Sequence, residues 1–154
     1  MIKPMLLIVL AAGLAGQSSE PNGFHFWTRA ELDSTANALA PKMDVHKFKS
    51  DTLASAGNHR FMVVHREATG EVEYHATEDD VIFIQSGSGT LAYGGTIVNP
   101  RNTAPNEIRG DSITGGMERK VAAGDVITIP AKLPHQMKLE QGAQLNYFAV
   151  KVTE

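Results

Sequence analysis

The stretch GEVEYHATEDDVIFIQSGSGTLAYGG, residues 70–95, decides the fold of this chain. Its first part, EVEYHA, is a strand candidate that follows a turn at residues 68–70. DVIFIQSG, residues 80–87, is a second candidate with apolar side chains on both faces, which is typical of a buried strand. TLAYGG then predicts a hairpin that turns at Gly94-Gly95. Short strands bounded by turn residues predict an all-β domain.

The β signals continue on both sides of this stretch. HRFMVVHRE at residues 59–67 precedes it, and MERKVAAGDVITIP, LPHQMKLE and AQLNYFAVKV supply further strands after it. Residues 99–116 are polar and contain two prolines, which predicts a long loop. Many short strands with regular turns indicate a sandwich or a barrel.

The N-terminal segment has a different character. Residues 1–16 carry one Lys, an apolar run and then small residues, which is the pattern of a cleaved secretory signal, with a membrane-anchoring helix as the alternative. We predict a linker at residues 17–23 and one domain at residues 24–154. WTRAELDSTANALAP predicts a short helix, begun by a capping box of Thr28 and Glu31. We therefore expect a secreted or periplasmic protein without membrane attachment after cleavage.

Composition narrows the possible chemistry. The chain has a formal net charge of −3, and its 14 Lys and Arg form no cluster, which argues against a nucleic-acid partner. The chain contains no cysteine, so no thiolate can serve as a nucleophile or a ligand. Any metal site must therefore use His, carboxylates and water.

Several side chains of these types fall where strands could bring them together. Glu73 and His75 are two residues apart, so both point to one face of a strand. Asp80 begins the next strand, and His135 follows a proline-bounded turn. If the turn before EVEYHA pairs its two flanking strands, His65 falls opposite Glu73 on the same face. Each of these residues taken alone could also have a purely structural role.

The spacing of these residues resembles the cupin superfamily, in particular small single-domain bacterial cupins with a cupin-2-like barrel. The first family motif is G-x5-H-x-H-x3–4-E-x6-G. Its second His, acidic position and final Gly are matched by His75, Asp80 and Gly87, whereas Glu73 replaces the first His.

The second family motif is G-x5-P-x-G-x2-H-x3-N. Three of its positions are matched, by Gly124, Pro130 and His135. Lys132 replaces the usual Gly, and Leu139 replaces the usual Asn. The resemblance extends over about residues 61–152, most of the predicted domain.

The resemblance implies a double-stranded β-helix, the jelly-roll barrel, with a site inside it for one divalent ion of Fe, Mn, Zn, Ni or Cu. The implied metal ligands are Glu73, His75, Asp80 and His135. It further implies a small-molecule ligand or substrate, an oxygenase, isomerase or lyase reaction, and a homodimer. The alternative is a non-catalytic, metal-free module that binds its ligand directly, because some motif positions have changed. Outer partners of the site could be Gln136 or Tyr147.

Overall fold

The computed structural model describes residues 20–154. The predicted signal segment and the first part of the predicted linker lie outside the described residues. Within them, one α-helix and twelve strands follow one another in the order α1 (Arg29–Leu39), β1 (Phe48–Ala56), β2 (His59–Arg66), β3 (Val72–His75), β4 (Glu78–Tyr93), β5 (Thr96–Val98), β6 (Arg101–Ala104), β7 (Glu107–Gly110), β8 (Ser112–Thr114), β9 (Met117–Ala122), β10 (Val126–Ile129), β11 (His135–Lys138) and β12 (Leu145–Thr153).

Helix α1 begins as its sequence predicts. The Thr28 hydroxyl accepts a hydrogen bond from the backbone N–H of Glu31, and the Glu31 carboxylate accepts one from the backbone N–H of Thr28. This reciprocal arrangement satisfies two helix-terminal donors. Ala36 and Leu39 are buried against Val63 of β2, which places the helix on the outer face of a sheet.

Ten of the twelve strands form two curled antiparallel layers that share β4, and β5 pairs with β8 in a separate two-stranded sheet. Strands β1, β2, β12 and β10 belong to the layer that contains the first half of β4, and β6, β7, β3, β11 and β9 belong to the other. Strand β4 passes from one layer to the other near Gly87, whose φ is +81°. A Cβ at Gly87 would collide with the backbone carbonyl of Gln144, so only glycine fits there.

The core lies between the two layers. It consists of the inward side chains Val64, Ile82, Ile84, Leu91, Val121, Ile129, Met137, Leu145, Tyr147 and Ala149. Burial of each large aliphatic side chain contributes about 1.5–3 kcal/mol to folding. The architecture is an all-β jelly-roll barrel with a short N-terminal α-helix, which confirms the predicted fold class.

Three local predictions are wrong. Strand β4 does not form a hairpin at Gly94-Gly95, because β9 and β11 already occupy both edges of its second half and β5 pairs with β8. Residues 99–116 are not a loop, since they contain β6, β7 and β8. The stretch at residues 80–87 is not buried on both faces, because Phe83 is 40% exposed on the outer face.

Among residues 20–154, no helix is both long enough and apolar enough to cross a membrane.

Candidate metal centre in the barrel

A cavity of about 1110 Å³ opens between the two layers of the barrel. Its wall is built from the inner faces of β2, β3, β4, β7, β11 and β12. Apolar side chains such as Ile82 and Ala149 line it together with polar and charged side chains. A cavity that combines an apolar floor with converging polar groups is the usual form of a small-molecule site.

Three potential ligands converge on this cavity. Glu73 and His75 lie on one face of β3, and His135 is the register partner of Glu73 on β11. A carboxylate oxygen of Glu73 and one ring nitrogen each from His75 and His135 lie within 4.8 Å of one another. The antiparallel pairing of β3 with β11 therefore brings together residues 62 positions apart in the sequence.

Asp80 stands beside these three residues at the start of the buried part of β4. Its Oδ2 atom lies 3.4 Å from Nε2 of His75 and 3.4 Å from Nε2 of His135. The side chain is 6% exposed. The structure thus brings together all four predicted ligands, Glu73, His75, Asp80 and His135.

Both imidazole rings are oriented by a second contact. Nδ1 of His75 lies 2.6 Å from Oε1 of Glu107, and Nδ1 of His135 lies 3.0 Å from the backbone oxygen of Leu133. An N–H at each Nδ1 donates to these acceptors, so the Nε2 atoms of both rings face the cavity. Metal-binding histidines are typically held in this way.

A lysine ammonium also lies among these donors. Nζ of Lys151 is 2.6 Å from Oδ1 of Asp80 and 2.8 Å from Nε2 of His75. Lys151 and Asp80 are register partners in the pairing of β12 with β4. Asp80 therefore directs one oxygen to the lysine and the other to the two histidines.

The surrounding cations keep the two carboxyl groups ionised. Burial alone would raise the pKa of Glu73, but its contact with His75 and the charge of Arg109 outweigh burial and hold the pKa well below its usual range. Burial would likewise raise the pKa of Asp80. Its contacts with His135, His75 and Lys151 instead hold that pKa far below its usual range.

Opposing influences act on the pKa of His75. Burial by itself would lower the pKa of His75, but the Asp80 and Glu73 carboxylates outweigh it and raise the pKa to about 9, against the opposing charge of Lys151. An ammonium has no lone pair, so the 2.8 Å contact needs an unprotonated nitrogen on one side.

Two arginines border the site as well. Nη1 of Arg109 on β7 lies 2.7 Å from Oε2 of Glu73, its register partner, and Nη2 of Arg66 lies 3.7 Å from Oε1 of the same carboxylate. The Arg66 guanidinium stacks over the ring of Phe48, 4.7 Å from its centroid. The carboxylates of the site are thus balanced by cations that belong to the chain.

His65 does not join the site, which contradicts the predicted pairing with Glu73. Strand β2 pairs with β1 and β12, and β3 pairs with β7 and β11, so the turn at residues 68–70 does not join a hairpin. Nδ1 of His65 lies 2.6 Å from Oδ1 of Asn146, and Nε2 lies 3.1 Å from Oε1 of Glu67. These contacts make His65 a buried structural residue.

The predicted outer partners are also wrong. The Gln136 amide donates to the backbone oxygens of Gly70 and Asp111, which ties β11 to neighbouring loops. Burial raises the pKa of Tyr147, whose hydroxyl faces Arg66. The outer partners in the structure are instead Glu107 and the Leu133 carbonyl.

Strand alternation in the sequence also gives a signal for Lys151. Lys151 follows Tyr147 and Ala149 at two-residue spacing along β12, so all three point into the barrel. A charged residue on the inner face of a buried strand is itself a sign of a site. Glu107 and Arg109 have no such signal, because the polar composition of residues 99–116 predicts a loop.

The residues present fit a divalent cation. Two imidazoles and two carboxylates form the donor set of many iron, manganese and zinc sites. The contacts of 3.4 and 3.5 Å between His75 Nε2 and the Asp80 and Glu73 oxygens are close to the separation of about 3.4 Å between ligands of a tetrahedral zinc ion. Both rings also have the outer contacts that such ligands need.

Neither family models nor curated protein sequences give a match to this chain. Several solved structures are similar to it. A cupin-2 domain protein from Rhodospirillum rubrum has a TM-score of 0.51 at 16% identity, over 71% of this chain and 62% of that one. A predicted oxalate decarboxylase from Thermotoga maritima has a TM-score of 0.51 at 16% identity, over 70% and 81%.

A third solved structure, the polyketide cyclase RemF from Streptomyces resistomycificus, has a TM-score of 0.50 at 18% identity, over 70% of this chain and 66% of that one. This chain therefore spans less than two thirds of the Rhodospirillum and Streptomyces proteins. At these identities the likeness concerns the fold, and the fold that these structures share with the chain is the cupin barrel.

Proposed function

Because the chain has a cupin barrel, we propose that it binds one divalent metal ion inside that barrel together with a small polar molecule. The ion would be held by Glu73, His75 and His135, with Asp80 as the fourth ligand. The observation that carries this proposal is the convergence of a Glu73 oxygen and two imidazole nitrogens within 4.8 Å at the wall of an open cavity.

The donor chemistry favours some ions over others. Two carboxylates make the site hard and anionic, which suits Mn²⁺, Fe²⁺ or Zn²⁺ better than Cu⁺. A bound ion of this kind supplies Lewis-acid polarisation of a ligand oxygen. This is compatible with an oxygenase, an isomerase or a lyase.

The side chains of the protein define what else the site can do. Glu73 and Asp80 are ionised and can accept a proton from a bound molecule if either is not engaged with the ion. Arg66 and Arg109 present positive charge to the same cavity and can orient a polar or anionic group. Ile82 and Ala149 give part of the wall an apolar surface.

A second candidate function is a metal-free, non-catalytic binding module. It is favoured by one observation, the Lys151 ammonium 2.6 Å from Asp80 and 2.8 Å from His75. Here the lysine would neutralise the site permanently, and the cavity would bind its ligand through Arg66 and Arg109 directly.

Metal content separates these two functions. The untagged protein, purified without chelators, is expected to contain about one equivalent of a divalent metal, or to take up one from Zn²⁺ or Mn²⁺ added singly. His75→Gln and His135→Gln are each expected to abolish this uptake, because Gln offers no imidazole lone pair. Equal metal content in the wild type and both variants would refute the proposal.

Two control variants make the result specific. His59→Gln changes an exposed histidine that stacks on Phe61 outside the site, and it should retain the metal. Ile84→Ala truncates a core residue that is 4% exposed, and it should lower the free energy of unfolding by about 2–5 kcal/mol while retaining one metal equivalent.

Export and homodimer formation stay predictions from the sequence and the resemblance. We propose that residues 1–16 are removed on export. N-terminal sequencing of the protein recovered from the host periplasm or medium would test this. Sedimentation of the purified protein would test the dimer.

A further inference from the structure

Lys151 occupies a defined place in the barrel. It lies on the inner face of β12, its side chain is 13% exposed, and its register partner is Asp80 on β4. The long lysine side chain reaches His75 on β3 and Asp80 on β4. Its position is therefore set by the strand pairing and not by a mobile loop.

The ammonium contacts the same atoms that a metal ion would use. It lies 2.6 Å from Oδ1 of Asp80 and 2.8 Å from Nε2 of His75. A divalent ion bound through the Nε2 lone pair of His75 needs that lone pair for itself. The ion and the ammonium would also repel each other at such short range. The two cations therefore cannot occupy this side of the site together.

A second carboxylate lies near the ammonium. Oε2 of Glu78, at the start of β4, lies 3.9 Å from Nζ of Lys151, and the Glu78 side chain is 20% exposed. Glu78 already contacts the Arg60 guanidinium at 3.2 Å. A rotamer change of Lys151 toward Glu78 would keep its charge paired while leaving Asp80 and His75 free.

We propose that Lys151 is a built-in competitor of the metal, whose ammonium neutralises Asp80 and engages His75 in the metal-free protein and moves toward Glu78 when an ion binds. This inference rests on the proposed metal site. Such competition would make the bound ion exchangeable, because the Lys151–Asp80 contact must break each time that an ion binds. It also explains how a buried carboxylate cluster stays stable without a metal.

The test compares Zn²⁺ affinity across a set of full-length variants by calorimetric titration. Lys151→Met removes the ammonium and keeps the length of the side chain, and it is expected to bind Zn²⁺ at least about tenfold more tightly than the wild type, the effect of about 1.4 kcal/mol. Lys151→Arg keeps the positive charge and is expected to bind Zn²⁺ no more tightly than the wild type. Lys120→Met removes an exposed lysine on β9 and should change nothing.

The outcomes distinguish this inference from the proposed function. If Lys151→Met is the one variant that binds Zn²⁺ more tightly than the wild type, the result supports the competitor role and the proposed metal site. Equal affinities for the wild type and Lys151→Met overturn the competitor role and leave the metal site intact. Binding by Lys151→Met but not by the wild type supports the competitor role and refutes metal binding as the native function. If neither the wild type nor Lys151→Met binds Zn²⁺, the competitor role and the proposed metal site are both refuted.

A folding check keeps the test valid. Thermal unfolding without metal should show a cooperative transition for each variant. If Lys151→Met does not fold, Lys151→Gln replaces it in the titration. Zn²⁺ should raise the melting temperature of Lys151→Met more than that of the wild type, since tighter binding stabilises the folded state further. An equal rise in both proteins would overturn the inference independently of the titration.

Discussion

Nδ1 of His75 lies 2.6 Å from Oε1 of Glu107, its register partner on β7. Glu107 thus orients the ring and supports the basicity of Nε2, although it lies in a segment whose sequence predicts a loop. The same pairing of β3 with β7 sets Arg109 against Glu73. Two of the four candidate ligands therefore have their outer partner on one neighbouring strand.

Removing the Glu107 carboxylate should weaken metal binding. We expect Glu107→Ala to lower the affinity for Zn²⁺ by about 10–100-fold with an unchanged stoichiometry, because the ring loses its orienting acceptor. Glu107→Gln should fall between the wild type and the alanine variant, since its amide oxygen still accepts a hydrogen bond. Glu118→Gln, which changes an exposed partner of Lys138, is the matched control. Unchanged affinity in Glu107→Ala would show that the contact does not tune the site.

The candidate ligands could be predicted from the sequence because their positions follow from strand periodicity and motif spacing. Glu73 and His75 share a face of β3 by alternation alone, and His135 stands at a fixed distance after Gly124 and Pro130. The capping box of α1 is equally local. Features of this kind need no knowledge of which strands pair.

Features that depend on strand pairing could not be predicted in the same way. The predicted position of His65 requires neighbouring strands to pair across a short turn, whereas β2 and β3 belong to different layers. Strand β7 is recognisable only through its pairing with β3, because the alternation in EIRG is too short to signal a strand. The contact of Lys151 with Asp80 needs the register of β12 on β4, which joins residues 71 positions apart.

Asp80 and Lys151 should be energetically coupled. Asp80→Asn leaves the buried ammonium without its carboxylate, so we expect the free energy of unfolding of the metal-free protein to fall by about 3–5 kcal/mol. The double variant Asp80→Asn/Lys151→Met removes both charges and should be more stable than the sum of the single changes predicts, by about 1–3 kcal/mol. Urea unfolding of the four proteins measures this coupling. Strict additivity would mean that the contact contributes nothing to stability.

The metal-free protein should lose stability in acid through Glu73 and Asp80. Their pKa values in the folded protein are held below the ordinary values of 4.5 and 3.8. A carboxyl group whose pKa is lowered on folding stabilises the folded state at pH values above its ordinary pKa. This contribution is lost as the pH falls below that value. Urea midpoints should therefore decline as the pH drops below about 4.5, where the unfolded carboxyl groups begin to take up protons.

Two variants identify the groups responsible for that decline. Asp80→Asn should show a shallower decline of the urea midpoint with falling pH, because one of the two groups no longer titrates. Asp51→Asn changes an exposed residue of β1 and should follow the wild-type curve. A wild-type slope in Asp80→Asn would assign the acid sensitivity to other carboxyl groups.

Lys132 occupies a backbone conformation that favours glycine. Its φ is +67°, and its N–H donates to the backbone oxygen of His75 at 2.7 Å, so the turn before β11 is tied to a candidate ligand. A left-handed conformation costs a side chain about 1–2 kcal/mol, and glycine costs about 0.5–1 kcal/mol in added freedom of the unfolded chain. We therefore expect Lys132→Gly to raise the free energy of unfolding by about 0.5–1 kcal/mol and to leave Zn²⁺ affinity unchanged. Lys120→Gly, in the regular strand β9, should instead lower it by about 0.5–1 kcal/mol. If both glycine variants are destabilised alike, the side chain of Lys132 must stabilise the turn in a way that its backbone conformation does not reveal.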